Sequence, residues 1–319
     1  MKKGLIIFAV ILIIAGIAIF VGAYSSVGYD ITKLSTAKAE TNTYAPEGAF
    51  TKIEIDSNTT DVVFKPAEDG KLSVVCLELE KAKHTVAIED GTLQITVEDN
   101  RQWLDYIGFF FEDLTMTVYL PETAYESVKV NVKTGDIKIP AEFSFGTITL
   151  STSTGNVGCC ASASGYMSLY TSTGDIKFEN VHAAKVNFGT STGEVMAKSV
   201  VCDGEFEGKA GTGDLRLENV TGQNITCRTS TGAIMLKDVI AAQKLTVKCS
   251  TGDVRFDRCD ADEIEVKTST GDVSGTLLTE KMFVCGTSTG RVRVPQTTSE
   301  HKCEITTHTG DITINIAND

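Results

Sequence analysis

Several features common to enzymes and nucleic-acid-binding proteins are scarce in this chain. It has 5 Pro, 1 Trp and 7% aromatic residues in 319, which is little for an aromatic-lined sugar groove. The formal net charge of −13 gives no positive footprint for nucleic acid. The four histidines are scattered, and neither C-x-x-C nor H-E-x-x-H occurs. We therefore expect no nucleic-acid partner, no cofactor, no metal ligands and no catalytic residues, which means a protein that is not an enzyme.

One long apolar run stands at the N-terminus. Leu5 to Tyr24 is uncharged, and at about 1.5 Å per residue it spans about 30 Å, the thickness of a bilayer core. Lys2 and Lys3 precede it, so the positive-inside rule keeps the N-terminus cytoplasmic and the rest outside. Because the run exceeds the roughly 7–15 residues of a signal-peptide core, we expect an uncleaved single-pass anchor at 1–24. A cleaved signal peptide is the alternative, and the polar segment 25–48 is predicted to be a linker.

The dominant feature is a Thr-Gly pair that recurs ten times, every 19 or 20 residues. The glycines are Gly135, Gly155, Gly174, Gly193, Gly213, Gly232, Gly252, Gly271, Gly290 and Gly310. Asp follows six of them, and Asn156, Glu194, Ala233 and Arg291 follow the other four. A repeat this short cannot bury its apolar face alone, so neighbouring repeats must stack.

Apolar columns flank every glycine. The positions seven before and two after it are apolar in all ten repeats, and apolar and polar residues alternate around them. This period of two indicates β-strands on either side of a tight turn. The chain is therefore predicted to be all-β, with residues 128–319 forming a parallel β-solenoid, a single-stranded β-helix of ten to eleven rungs. Ten rungs at about 4.8 Å make a rod of about 48 Å, and the bias of parallel crossovers favours right-handed coiling.

Residues 49–127 are predicted to hold a degenerate first rung and a capping insertion. The segment 53–64 fits the columns, with Thr60 where glycine belongs. Strands are expected at 72–79, 85–88, 93–97 and 114–120, with hairpin turns at 69–70 and 90–91. The end of a solenoid exposes unpaired backbone, which this insertion would cover.

An aromatic cluster interrupts the insertion. It consists of Trp103, Tyr106, Phe109, Phe110 and Phe111. We expect these large side chains to plug the open end of the rod, because large aromatic residues usually pack. An exposed patch that faces a partner or the membrane is the alternative.

Each polar column has an ordinary structural explanation. The Asp column is expected to cap the turns, with basic residues two positions on to offset the stacked carboxylates: Lys138, Lys177, Arg216, Arg255 and Arg293. Calcium binding is the alternative, but the longer G-G-x-G-x-D repeat is absent. The Thr columns three and one before glycine share the parity of the inward positions, so both are predicted to face inward, which argues against an ice-binding face.

Nine cysteines are present, an odd number: Cys76, Cys159, Cys160, Cys202, Cys227, Cys249, Cys259, Cys285 and Cys303. Several occupy columns that hold Val, Leu or Ile in other repeats. A small buried hydrophobic residue fits such positions, so we expect core thiols rather than a disulfide framework.

The repeated T-S-T-G-D-[IV] motif resembles the bacterial adhesin-domain family of β-strand repeats, a domain family of unknown function. It occurs as STSTGNV at 151–157, TSTGDI at 171–176, TSTGEV at 190–195, TSTGAI at 229–234, CSTGDV at 249–254, TSTGDV at 268–273 and TSTGRV at 287–292. The resemblance covers about residues 50–319. It implies a surface-exposed solenoid tethered by one membrane helix, with adhesion as its role and no catalytic residues to transfer.

Outward polar columns provide the expected contact surface. A serine column comprises Ser153, Ser172, Ser191, Ser230, Ser250, Ser269 and Ser288. Basic residues stand two positions earlier in four repeats: Lys209, Arg228, Lys248 and Lys267. Repeated columns suit weak multivalent contacts with a glycan or wall polymer. The alternative function is a regulatory or scaffold component of envelope-stress sensing that contacts a membrane protein.

Overall fold

The computed structural model describes residues 2–30, 37–106 and 112–317 and consists of one helix followed by a β-solenoid of about nine turns. Helix α1 (Lys2–Ser26) covers the apolar run. Its segment Gly4–Ser26 is long and apolar enough to cross a membrane, and none of it is buried against the described part of the solenoid.

Seven strands precede the first Thr-Gly repeat. They are β1 (Ala39–Tyr44), β2 (Lys52–Thr59), β3 (Asp61–Pro66), β4 (Ser73–Leu79), β5 (Ala82–Glu89), β6 (Thr92–Asp99) and β7 (Thr115–Leu120). A short 3₁₀ helix, Trp103–Tyr106, follows β6.

Sixteen strands form the repeats. They are β8 (Tyr125–Thr134), β9 (Ile137–Ile139), β10 (Ser144–Thr154), β11 (Val157–Cys159), β12 (Ser162–Thr173), β13 (Ile176–Thr192), β14 (Val195–Cys202), β15 (Glu205–Thr212), β16 (Leu215–Thr231), β17 (Ile234–Thr251), β18 (Val254–Thr270), β19 (Val273–Leu277), β20 (Met282–Thr289), β21 (Val292–Arg293), β22 (Lys302–Thr309) and β23 (Ile312–Ile316). The predicted parallel β-solenoid is confirmed.

Each rung has a pre-turn strand that ends at the Thr-Gly pair and a post-turn strand that follows it. Four strands, β13, β16, β17 and β18, contain the post-turn strand of one rung and the pre-turn strand of the next. In these four strands, and also in β14, the chain bends at a residue with left-handed φ, six positions after the glycine: Asn180, Ser199, Asn219, Asp238 and Arg258. The inward columns form one continuous core, in which the Phe178, Phe188 and Phe206 rings pack together at 5.0–6.3 Å.

The N-terminal cap begins as a solenoid and then reverses direction. As predicted, β2 and β3 form a first rung that stacks in parallel on β8 and β9, and β6 and β7 form another rung beneath it. Strands β5 and β4 then pair antiparallel with β6 and β7. This reversal ends the parallel stack at the N-terminal end of the solenoid.

Two details of the cap differ from the sequence-based expectation. The segment 25–48 is not entirely a linker, because it contains β1, which pairs antiparallel with β4. The turn at Asp90 and Gly91 joins the β5–β6 hairpin, with left-handed φ at both residues. No hairpin forms around Gly70, because β7 lies between β3 and β4 and pairs with both.

The last two repeats stack out of sequence order. Strand β22 pairs with β18 on one side and with β20 on the other, and β23 lies likewise between β19 and β21. The C-terminal repeat is therefore inserted beneath the repeat that precedes it, and β20 and β21 form the outermost rung. A buried ion pair fixes the connection that skips a level, with Lys281 Nζ 2.7 Å from Asp260 Oδ1.

Candidate binding face

The glycine of the Thr-Gly turn is required by the stacking of the rungs. Its φ lies between +137° and +156° in all ten repeats, a conformation that side chains with a Cβ rarely adopt. A Cβ on Gly135 would also overlap the carbonyl oxygen of Thr60, and one on Gly155 would overlap that of Gly135. The repeated glycine therefore reflects the close approach of successive backbones.

The Asp column caps the turns, as predicted. Where the column holds Asp, the carboxylate accepts a hydrogen bond from the backbone N–H of the equivalent residue in the adjacent rung. For example, Asp175 Oδ1 lies 2.7 Å from Glu194 N, and Asp253 Oδ1 lies 3.0 Å from Asp272 N. Asn156 continues the ladder, since its Oδ1 lies 2.8 Å from Asp175 N.

Three of the five basic residues predicted to offset these carboxylates pair with them, whereas Lys177 pairs with Glu179 instead. Lys138 Nζ lies 3.3 Å from Asp136, and Arg255 lies 3.4 Å from Asp253. The repeated Asp needs no metal ion to explain it.

The two Thr columns behave differently from each other. The threonines three before glycine are buried, apart from the partly exposed Thr287. All of them except Thr268 donate their hydroxyl to the glycine carbonyl of an adjacent rung, for example Thr171 to Gly155 at 2.9 Å. The column immediately before glycine is exposed, so the prediction that both columns face inward was wrong for that one. Alternation fails there because the chain has already begun to turn at the corner.

A shallow groove runs along the outward face of the pre-turn strands, which we call the serine face. One stretch of about 390 Å³ is lined by Lys209, Arg228, Lys248, Lys267 and the serines beside them. A second stretch of about 540 Å³ continues it past Ser172 and Ser191, and the two share Lys209 and Ser230. The whole serine column is exposed, as predicted. The serine face thus offers a long polar surface rather than an enclosed pocket.

Four basic side chains form an in-register column on this face, which we call the basic ladder. Backbone pairing places Lys209 beside Arg228, Arg228 beside Lys248, and Lys248 beside Lys267. Neighbours are therefore about 4.8 Å apart along the axis. Arg228 pairs with Glu207 at 3.5 Å and Lys267 pairs with Glu265 at 2.6 Å, whereas Lys209 and Lys248 have no carboxylate within 4.0 Å among the described residues. Like charges stacked in this way repel one another.

Charged residues on the post-turn strands alternate in sign instead. There Glu179, Lys198, Glu218, Lys237 and Asp257 stand in register with alternating sign, and we call them the alternating column. Glu218 lies 3.0 Å from Lys237 and 3.9 Å from Lys198. Alternation of sign stabilises a solvated face, and the basic ladder lacks it.

An exposed tyrosine continues the basic ladder. Tyr170 pairs in register with Gly189, which pairs with Lys209, so the ring lies in the same column two rungs away. The glycine leaves room for the ring, because a Cβ there would meet it at 2.9 Å. The Tyr170 hydroxyl donates to Asn187 Oδ1 at 2.6 Å, and the side chain is 39% exposed. It provides an apolar surface beside charges and hydroxyls.

The cap contains a buried polar network that the sequence did not suggest. Ser57 Oγ lies 2.8 Å from His84 Nε2, and His84 Nδ1 lies 2.6 Å from Glu78 Oε2. The other Glu78 oxygen accepts from Tyr44 at 2.5 Å and Asn42 at 2.8 Å. These residues meet because β2, β4 and β5 are brought together by the reversed strands, and their spacing along the chain carries no signal of this.

This network resembles a catalytic or metal site only in its composition. Cys76 lies close enough to Glu78 and His84 to share an ion with them. However, burial and the Glu78 charge raise the pKa of Cys76 to about 12, which disfavours the thiolate that binds metals. Burial alone would raise the pKa of Glu78, but the hydrogen bonds from Tyr44, Asn42 and His84 lower it. Ser57 is 1% exposed and cannot meet a substrate, so the cluster stabilises the cap.

The cysteines and aromatic residues can now be compared with expectation. All nine cysteines are free; seven are buried, and Cys160 and Cys285 are partly exposed, which fits core thiols. Trp103 is 71% exposed, so it does not plug the rod. The predicted cluster members Phe109, Phe110 and Phe111 lie outside the described residues.

Comparison with solved structures supports the fold. A Parabacteroides distasonis protein described as a "putative lipid binding protein" matches with a TM-score of 0.52 and 16% identity, over 77% of this chain and 98% of that one. A "putative adhesin" from Parabacteroides merdae matches with a TM-score of 0.51 and 14% identity, over 75% and 96%. No curated protein sequence matches this chain.

At these identities the two structures are similar to this chain in fold alone. A family model gives the assignment, since it matches residues 50–207 and again residues 201–319. The matched residues include the cap and all ten Thr-Gly turns, which explains the predicted resemblance to a domain family of unknown function. The chain belongs to the Toastrack DUF4097 family.

Proposed function

We propose that this protein is a non-enzymatic, adhesin-like surface module that binds a repetitive partner, a glycan or cell-wall polymer, through its serine face. The observation that carries the proposal is the groove along the pre-turn strands, in which equivalent polar side chains recur on successive rungs. A surface of this kind offers many equivalent weak contacts in a line, and a repetitive polymer can occupy several of them at once.

The proposed binding site does not include the repeated Thr-Gly-Asp turn, although this is the most frequent motif of the chain. The Thr, Gly and Asp of the turn are engaged between rungs, so their side chains and carbonyls are already used. Among the described residues, the side chains of the serine column form no hydrogen bond to a neighbouring rung. Catalysis normally requires groups that converge in a cleft, whereas the described residues of this face form parallel columns.

Helix α1 would tether the solenoid to the membrane. Lys2 and Lys3 favour a cytoplasmic N-terminus, and the solenoid would then lie outside the cell. Protease treatment of intact cells should remove the solenoid. Survival of the solenoid on intact cells, with cleavage only after lysis, would contradict this orientation.

The binding proposal can be tested with the full-length chain in detergent micelles. The protein is immobilised and exposed separately to wall polymers, to neutral and charged glycans, and to solubilised membrane proteins. We expect binding to at least one polymer, and an affinity that rises with polymer length because longer chains engage more rungs. Failure to bind any polymer would refute the proposal, and turnover of a polysaccharide would refute the non-enzymatic part.

One observation favours the alternative role as a regulatory or scaffold component of envelope-stress sensing. Trp103 is exposed in the cap, the part of the solenoid that follows the anchor most closely in the chain. A photo-crosslinking residue at position 103 would report a neighbour there. A specific membrane-protein adduct, together with no polymer binding, would favour this alternative.

A further inference from the structure

We propose that the basic ladder and Tyr170 form the contact site for a linear carboxylated polysaccharide that lies along the solenoid axis. This inference rests on the proposed function, because it specifies the chemical class of polymer for the same face. It assigns the charge contacts to Lys209 and Lys248, the hydroxyl contacts to the serine column, and a ring contact to Tyr170.

The charge contacts follow from the ion pairs on the serine face. Glu207 and Glu265 already pair with Arg228 and Lys267, so the ammonium groups of Lys209 and Lys248 remain available. They are two rungs apart, about 10 Å along the axis. A ligand with carboxylates repeated along its length could meet both at once, and Arg228 lies between them in the same column.

The arrangement is unusual for a surface that serves only the fold. In the alternating column, charges of opposite sign follow one another, and Glu218 pairs with both Lys198 and Lys237. In the basic ladder, four like charges stand in register within a chain of net charge −13. Stacked like charges destabilise a sheet, and sites that sacrifice stability in this way are typical of binding surfaces.

The neighbouring residues favour a polysaccharide over a polyphosphate. Ser230, Ser250 and Ser269 are exposed two residues after the basic positions, and their hydroxyls can donate to and accept from sugar hydroxyls. Tyr170 lies in line with the ladder, and its ring presents the apolar surface on which a sugar ring can pack. The site then extends over five rung spacings, from Tyr170 to Lys267, about 24 Å.

The test compares two forms of one polymer on the full-length chain in detergent micelles. Polygalacturonate carries free carboxylates, and its fully methyl-esterified form has the same backbone without their charge. We expect the acid form to bind at least about tenfold more tightly, with an affinity that falls as salt is added. Inorganic polyphosphate at the same charge concentration serves as the competing anion.

Matched variants locate the site. Lys209→Gln with Lys248→Gln should reduce the affinity for polygalacturonate by about tenfold and weaken its salt dependence. The melting temperature should stay constant or rise, because like charges have been removed. Lys198→Gln with Lys237→Gln changes the net charge equally on the alternating column and should leave the affinity unchanged.

Tyr170→Ala should weaken polygalacturonate binding by about fivefold or more and leave polyphosphate binding unchanged. Equal affinity for the acid and ester forms, with no effect of the ladder variants, would overturn this inference and leave the proposed function standing. Tighter binding of polyphosphate with no effect of Tyr170→Ala would overturn the polysaccharide assignment. Absence of binding to every polymer would refute the proposed function as well.

Discussion

The substitution Ala233→Asn should stabilise the solenoid by restoring a missing link of the turn ladder. Asp214 Oδ1 accepts from the amide of Ala233 at 2.8 Å, but the alanine methyl cannot accept from the next amide, that of Asp253. Two repeats further along, the ladder is intact again between Asp253 and Asp272. Asn156 shows that an asparagine fits this column and accepts from the next rung at 2.8 Å.

The expected gain is that of one hydrogen bond to a partly exposed amide, about 0.5–1.5 kcal/mol in the free energy of unfolding. Asparagine adds no charge, so the substitution avoids new repulsion with Asp214 and Asp253. At about 2.1 cal/mol/K of unfolding entropy per residue, this gain corresponds in a chain of 319 residues to a rise in melting temperature of roughly 1–2 °C.

The matched control is Arg291→Asn in the outermost rung. The Arg291 N–H donates the final hydrogen bond of the ladder to Asp311 Oδ1 at 2.8 Å, and no rung of the described residues lies beyond it. An asparagine there has no amide to accept from, so we expect no change in melting temperature. Far-UV circular dichroism of the full-length chain in detergent would measure both variants.

A rise for both variants would refute the stacking order of the last two repeats, because sequential stacking would place a rung beyond Arg291. A fall or no change for Ala233→Asn, with no change for the control, would refute the stabilising role of the ladder.

Three further predictions concern the core and the turns. Gly213→Ala should reduce the free energy of unfolding by about 3 kcal/mol or more, because its Cβ would overlap the Gly193 carbonyl. The control Gly286→Ala, whose Cβ would have no atom within 4 Å, should have nearly the melting temperature of the unaltered protein. Asp260→Ala should reduce the free energy of unfolding by about 3–5 kcal/mol, because it leaves the Lys281 ammonium buried without its carboxylate. Adding Lys281→Met should recover part of this loss in a double-mutant cycle. A loss below about 1 kcal/mol in urea unfolding, which is typical of an exposed ion pair, would contradict the buried pair. Burial raises the pKa of the Cys227 thiol from 9.0 to about 12, so the stability that the protonated thiol contributes is complete below pH 9 and is lost between pH 9 and 12. The urea midpoint should therefore fall across this range. In Cys227→Ala the midpoint should depend less on pH.

Much of this architecture could be predicted from the sequence because each repeat makes the same contacts as its neighbours. A contact that recurs ten times appears as a column, so the inward positions, the turn glycine and the Asp cap were all recognised. Alternation predicts the wrong burial for the Thr before each glycine, because the corner of the rung exposes that side chain. The sequence pattern also identifies the residues of the basic ladder, from Lys209 to Lys267. It does not identify the ion pairs, which leave Lys209 and Lys248 available.

The repeat, the strand direction within it and the residues of the core can be read from the sequence, since these depend on local alternation and on the stacking of equivalent residues. The order of the last rungs cannot be read in this way. The repeats around Gly290 and Gly310 have equivalent columns, so either could stack on Gly271. In the structure Gly310 does so, and the ladder ends at Arg291. The cap network was also decided only by the tertiary structure, because Ser57, Glu78 and His84 meet only when antiparallel strands fold back over the end of the solenoid.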